Sequence, residues 1–311
     1  MLNAAANEAK ASFDDIYSKD DPRDYFGELG ALDYLIPDVA RPIFRQVADA
    51  WRRRSGHPGT VLDLGSSYGI NSALFRFPVT FEMLRRRYAR REMLSLASEQ
   101  IRDYDRAYFQ AWPRSQHERI IVSDISAPAV QYAVNVGLAD DAIAHDFENK
   151  APPADVQRRL RDVNLIFSTG AVGYISERTF SSILAAAKEP PWVVCFCLRL
   201  FSYEPIAKAL EKAGLVTEKL EGAAFMQRRF RDTEEAESVL RTLRLRGLDS
   251  AGLESEGHLY AELFVSRPAA EVEARPLDQL VRVVSGRNLS LGPRLVEVRR
   301  DGIPGMALVR P

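Results

Sequence analysis

From Val61 to about Gly214 the chain alternates short apolar runs with longer stretches whose apolar residues recur at helical spacing. The runs TVLDLG, RIIVSDI, AIAHDF, VNLIFST and WVVCFCLRL have the length of buried strands. Between them APAVQYAVNVG, ERTFSSILAAAK and EPIAKALEKAG read as helices, the last closed by Gly214 at its C-terminal end. This alternation predicts βαβ units and a doubly wound, mostly parallel α/β sheet. VTEKLEG and HLYAELFVS follow as further strands, with a helix over TEEAESVLRTLRLRG between them.

Three additions surround this core, which spans 57–266. Residues 1–56 predict a helical cap, in which IPDVARPIFRQVADAWRRR is the clearest amphipathic helix. Residues 76–118 predict a helical insertion whose inner face approximately follows Leu84, Tyr88, Leu94, Ile101, Tyr104 and Tyr108. The extension at 267–311 is rich in Val, Arg, Gly and Pro, and predicts short strands with turns.

Composition excludes several classes. The 311 residues are 46% hydrophobic and 27% charged, which is globular. The longest apolar run suits a strand, and the N-terminal MLNAAANEAKASFDD lacks the pattern of a signal peptide, so a cytoplasmic protein without membrane contact is expected. Cys195 and Cys197 would share one face of a strand, too close for a disulfide and without the partners zinc needs, so no metal site is expected. Lys and Arg number 42 against 43 Asp and Glu, a balance that points to no polyanionic partner. Arg85, Arg86, Arg87, Arg90 and Arg91 are a local exception, best accounted for as a solvated helix face beside Glu82 and Glu92.

The glycine loop VLDLGSSYGINSALF carries the sharpest signal. It has no lysine for a triphosphate loop, and three residues separate Gly65 from Gly69, unlike the G-x-G-x-x-G of dinucleotide binding. What it offers is D-x-G-x-x-x-G, with Asp63, Gly65 and Gly69. Together with RIIVSDIS, AIAHDFEN and VNLIFSTGAVGYISERTF in that order, it resembles the class I S-adenosylmethionine-dependent methyltransferases.

The resemblance implies a Rossmann-like sheet with an antiparallel last strand, and S-adenosylmethionine as cofactor. It implies that Asp63 faces the cofactor's ammonium, while the loop N–H groups with Ser66 or Ser67 serve its carboxylate. Asp124 would take the ribose hydroxyls and Asp146 the adenine amino group, with Ile125 and Phe147 beside the ring and Ser168 on the fourth strand. Two departures stand out. Asp63 and Asp124 are 61 residues apart, so the insertion must loop out near the ligand crevice, and the place of a frequent Glu-His pair reads Gly173-Tyr174.

Methyl transfer from a sulfonium mainly needs alignment and exclusion of water, so a missing histidine base does not argue against it. Tyr174 is the leading catalytic candidate, with Glu177 a weaker base. Tyr17, Tyr25, Tyr174, Arg199 and Tyr203 are expected around the acceptor. His145 alternates with Asp146 and should point away, His258 opens a strand, and His57 and His117 lie in polar connections. The expected partner is a small-molecule methyl acceptor rather than nucleic acid, with room for a homodimer. Two further readings stay open: an RNA or protein methyltransferase docking through Arg85–Arg91, and a cofactor-binding non-methylating or scaffold protein of the same fold.

Overall fold

The computed structural model describes residues 14–283 and the backbone of two strands at 294–300 and 303–309. The described residues fall into two compact units, divided after Leu280. In the first, helices α1 (Asp14–Tyr17), α2 (Arg23–Ala31) and α3 (Ile36–Ser55) precede strand β1 (Thr60–Leu64) and helix α4 (Ile70–Arg76). The insertion then gives α5 (Phe81–Tyr88), α6 (Arg91–Leu94) and α7 (Ser98–Gln110). The alternating core continues as β2 (Arg119–Asp124), α8 (Ala127–Asn135), β3 (Asp141–Ala144), α9 (Ala154–Leu160), β4 (Leu165–Thr169), α10 (Glu177–Ala186) and β5 (Trp192–Leu198). It ends with α11 (Glu204–Lys212), β6 (Leu215–Lys219), β7 (Phe225–Arg229), α12 (Thr233–Leu245) and β8 (His258–Pro268).

The sheet runs β3-β2-β1-β4-β5-β8-β6, with β7 also paired to β8. Strands β1 to β5 pair in parallel, and β8 is antiparallel to β5, β6 and β7. The fold class is therefore the expected one: a doubly wound sheet with an antiparallel last strand. Its order reverses at β1, where β2 lies on one side and β4 on the other. That switch point leaves a crevice at the strands' carboxyl ends.

Sheet and cap share one core. Helix α3 buries Ala40, Ile43, Phe44, Val47 and Trp51 along one stripe, and Phe44 stacks on Phe167 of β4 at 4.3 Å. Arg45, on the same helix, donates to the carbonyls of Leu74 and Phe75, which lack intrahelical donors at the end of α4. Cys195 and Cys197 are free and buried in β5.

Several elements depart from the sequence pattern. Strand β7 was not expected, because FMQRR shows no apolar alternation; it forms because β8 pairs with it and Glu235 neutralises its arginine. In the insertion, Leu94 and Tyr104 are 62% and 58% exposed while Phe81, Met93 and Phe109 are buried. Breaks after Tyr88 and Leu94 reset the helical phase that a continuous count assumes.

Past β8 the chain forms helices α13 (Ala269–Ala274) and α14 (Leu277–Leu280) instead of strands, and Glu218 of β6 accepts from Leu277 N and Arg267. In the second unit β9 (Arg294–Arg300) pairs antiparallel with β10 (Ile303–Val309). Among the described residues no helix is long and apolar enough to cross a membrane.

Candidate functional site

The crevice at the switch point deepens into a cavity of about 640 Å³, within the range of small-molecule sites. One end is built from strand termini. After β1 the chain turns through Gly65, whose φ of 71° suits glycine and whose Cβ would lie 2.5 Å from that of Ala171. The next positions stay tight: Gly65 N and Ser66 N both donate to Ser123 O at 2.9 and 3.1 Å. Ser67 N donates to Asp124 Oδ2 at 2.9 Å, and Ser126 N to Oδ1 at 3.0 Å. The loop N–H groups expected to serve a carboxylate are thus spent on β2.

What the loop leaves without a partner is the hydroxyl of Ser67. This residue adopts φ of 47°, unusual for a residue with a side chain, and its buried Oγ has no hydrogen-bond partner. Strain and an unpaired polar atom coincide at the cavity wall.

Asp124 lines the cavity with lone pairs to spare on both oxygens, and burial raises its pKa despite the backbone donors. Ile125 beside it is 73% exposed. Across from them Asp146 and Phe147 follow the end of β3. The Asp146 carboxylate accepts from Asn149 Nδ2 and from the amides of Glu148 and Asn149, contacts that hold its pKa below the usual range. His145 lines the cavity as well, contrary to expectation, because β3 stops at Ala144 and strand alternation no longer governs it. Its ring meets Phe147 edge-on at 4.7 Å.

Asp63 corrects a second expectation. It is 1% exposed and stands behind the wall, where its carboxylate accepts from Ser72 N, Ser72 Oγ and Asn71 Nδ2. Asn71 lines the cavity and also donates to Thr169 Oγ1 at 3.0 Å, so Asp63 reaches the cavity only through it. Burial pushes the Asp63 carboxyl up to about 6. Gly69 opens α4 behind the loop, and the Ser168 hydroxyl is turned to Leu64 O; neither lines the cavity.

The other end is closed by rings. Tyr17 and Tyr25 lie 5.9 Å apart, Tyr34 meets Tyr25 at 6.3 Å, and Tyr174 stands half-exposed at the mouth. Burial is the main cause that raises the pKa of Tyr17, Tyr25 and Tyr34, the last to about 12, so these hydroxyls are neutral near pH 7. Tyr68, inside the glycine loop, fastens the cap by donating from its hydroxyl to Ile16 O and Lys19 O, both at 2.9 Å. Ser126 Oγ adds a bond to Tyr17 O at 2.6 Å.

Arg199 and Tyr203, expected around the acceptor, do not line the cavity. Pairing between β5 and β8 carries them to the far side, where Arg199 is held by Glu254 and Asp249 O and Tyr203 stacks on Phe264 at 4.2 Å. Glu177 begins α10 outside the lining.

Tyr34, Gln227, Arg228 and Glu148 were missed. Glu148 accepts from the N–H and hydroxyl groups of both Ser176 and Thr179, fixing the bend that carries Tyr174. Its place right after Asp146-Phe147 was the one available signal; the others come from distant segments.

The arginine segment is spoken for in part. Arg85 and Arg86 pair with Glu82, and Arg87 reaches the buried Asp105, whose other oxygen accepts from Tyr88 and Tyr132.

No family model matches the chain, and no curated protein matches it. Solved structures do show similarity. A TehB-like S-adenosylmethionine-dependent methyltransferase from Corynebacterium glutamicum shares 14% identity over 71% of this chain and 88% of its own, with a TM-score of 0.34. Magnesium protoporphyrin IX methyltransferase from Synechocystis PCC 6803, with S-adenosylmethionine bound, gives 13%, 74%, 83% and 0.34. Geranyl diphosphate C-methyltransferase from Streptomyces coelicolor gives 12%, 67%, 71% and 0.31. Likeness of this degree carries neither a substrate nor a reaction to this chain.

Proposed function

We propose that the protein transfers a methyl group from S-adenosylmethionine to a small molecule enclosed beneath its N-terminal cap. The observation that carries this reading is the convergence, in one cavity, of the Gly65–Ser67 loop, Asp124 and Asp146-Phe147 at three successive strand ends. The residues fit the cofactor: the unpaired Ser67 hydroxyl suits its carboxylate, and Asp124 has acceptor capacity for a diol. Ile125 and Phe147 offer apolar contact to a flat base. When bound, the cofactor supplies a methyl group already activated for in-line displacement.

The chain's own part is then alignment and desolvation. The tyrosines of the cap shut water out of one end, and Tyr174 orients the acceptor at the mouth. None of the cap tyrosines accepts a proton near pH 7, so no side chain of that wall serves as a general base. A chamber closed over at one end by the cap favours a small acceptor over a polymer. The pairing of Arg85 to Arg87 with acids of the same segment removes much of the charge a nucleic acid would need.

Calorimetric titration with S-adenosylhomocysteine, with NAD as control, tests the reading. Micromolar binding of S-adenosylhomocysteine and none of NAD is expected; the reverse sinks it. Binding without methyl transfer to any of a broad pool of small acceptors would instead favour a non-methylating protein.

A further inference from the structure

Pairing between β7 and β8 slips at one point: Met226 faces Tyr260 and Arg228 faces Leu259, leaving Gln227 as an extra residue. Consecutive strand residues ordinarily point to opposite faces, but a bulge re-aims one of them. Here Gln227 and Arg228 both line the cavity. Gln227 is 3% exposed, and its backbone is anchored where Leu35 N donates to its carbonyl at 2.8 Å. The two ends of its side-chain amide differ. Oε1 is sealed inside the wall, so the cavity meets the amide at Nε2. That nitrogen lies over the bare Cα of Gly170, where a Cβ would stand 2.4 Å from it. Gly170 precedes Ala171, whose side chain packs on Gly65. The N–H donor thus stands where the glycine-loop end of the cavity joins the ring-lined end.

Among the described residues no group accepts a hydrogen bond from Nε2. The acceptors nearby are spent: Asn71 Oδ1 receives the Thr169 hydroxyl, and both oxygens of Asp63 are engaged by Asn71 and Ser72. A buried N–H without an acceptor is rare in a native fold, and a ligand that completes it accounts for one kept at a cavity. The surroundings narrow the kind of oxygen that fits. Arg228 grips both oxygens of Glu235 at 2.8 and 2.6 Å, which cancels the charge an anion would seek. The rest of this end is ring and aliphatic: Tyr17, Tyr25, Tyr34, Leu29 and Pro37. One donor in an apolar wall without free charge suits a neutral carbonyl.

We propose that Gln227 orients the methyl acceptor by donating from Nε2 to a carbonyl oxygen of a flat, uncharged aromatic molecule seated among the tyrosines. The inference rests on the methyl-transfer reading for what fills the other end of the cavity. A site that hydrogen-bonds its ligand discriminates against the analogue lacking the matching group, because a buried polar atom is then stranded. Gln227 is a specificity residue and takes no part in bond making.

The test uses acetophenone and 2-phenylpropene, which share a shape and differ by C=O against C=CH2. Each is titrated by ligand-observed NMR into the full chain saturated with S-adenosylhomocysteine, in wild type and Gln227→Leu. The ratio of the two affinities is compared between the proteins, which cancels the different hydration of the probes. Wild type is expected to bind acetophenone, with a ratio in its favour at least about fivefold larger than in the variant. The affinity for S-adenosylhomocysteine should be the same in both proteins. A purely structural role would move both probes together and leave the ratio alone.

A smaller difference in ratio, or a wild type that does not bind acetophenone, overturns the proposal while the cofactor reading stands. So does a variant that loses S-adenosylhomocysteine as much as acetophenone, because the amide would then serve the cofactor. Failure of S-adenosylhomocysteine to bind wild type overturns both.

Discussion

The two ends of the cavity are made differently. The end carrying Gly65–Ser67, Asp124 and Asp146 is drawn from the termini of β1, β2 and β3, which lie side by side because the sheet's topology puts them there. The end carrying Tyr17, Tyr25, Tyr34, Gln227 and Arg228 is gathered from two segments about 200 residues apart in sequence. They meet through backbone bonds, Leu35 N to Gln227 O and Arg229 N to Leu32 O, at 2.8 and 2.7 Å. A strand end can hold a fixed ligand with short polar residues and turns. A wall assembled from distant pieces can change with its ligand while the sheet stays as it is.

The largest effect that separates the ends lies in how the second wall is anchored. Arg228 and Glu235 are each 2% exposed at the side chain, so Arg228→Leu leaves a carboxylate buried without its main partner. The expected loss is about 3–5 kcal/mol in chemical denaturation, most of it recovered by adding Glu235→Leu. If the double variant is as unstable as the single one, the ion pair is not what holds this wall.

The strand-end wall should show its own signature in pH. Asp63 titrates near 6 in the fold against 3.8 for the free side chain. The folded state therefore binds more protons between those values, and stability falls as pH rises through that window and levels off above it. A shift of about 2 units corresponds to roughly 3 kcal/mol. Asp63→Asn should make this downward slope shallower by the share Asp63 contributes, read from denaturation midpoints between pH 4 and pH 7; equal slopes in the two proteins would discard the buried-charge account.

Ligand affinity sharpens the contrast next. Asp124→Ala should weaken S-adenosylhomocysteine at least tenfold, about 1.4 kcal/mol, whereas Tyr34→Phe should change it less than threefold. Comparable losses in calorimetry would mean that the two ends do not divide the work.

This division also explains what could be read beforehand. Alternating strands and helices, and the residues that follow each strand, are local patterns, so Gly65, Asp124 and Asp146 could be placed from sequence alone. Asp63 was read as facing the ligand because a strand-end acid usually does; nothing in VLDLG tells that Asn71 stands in front of it. Arg199 and Tyr203 were misplaced because the run of β5 does not show that β8 would pair with it beyond Cys197. Gln227 was invisible for a sharper reason. A bulge depends on register with a partner strand, and FMQRR carries no trace of that partner.

One residue spans both ends, and its removal gives the smallest and most specific effect. Tyr68 belongs to the glycine loop, yet its hydroxyl holds the carbonyls of Ile16 and Lys19 in the cap. Tyr68→Phe keeps the ring, which packs edge-on against Tyr25 and Tyr132, and deletes only the donor. A shared donor of this kind contributes about 1 kcal/mol, too little to unfold the chain but enough to release a short segment. Amides of 14–21 should then exchange faster with deuterated solvent while those of β1 and β4 do not. S-adenosylhomocysteine should also dissociate a few-fold faster, because Tyr17 in that segment lines the cavity and is tied to Ser126 beside the strand-end wall. If exchange at 14–21 is unchanged, the cap is held by its other contacts, the Ser126 and Ser98 hydrogen bonds and the rings, and the glycine loop does not govern when the chamber opens.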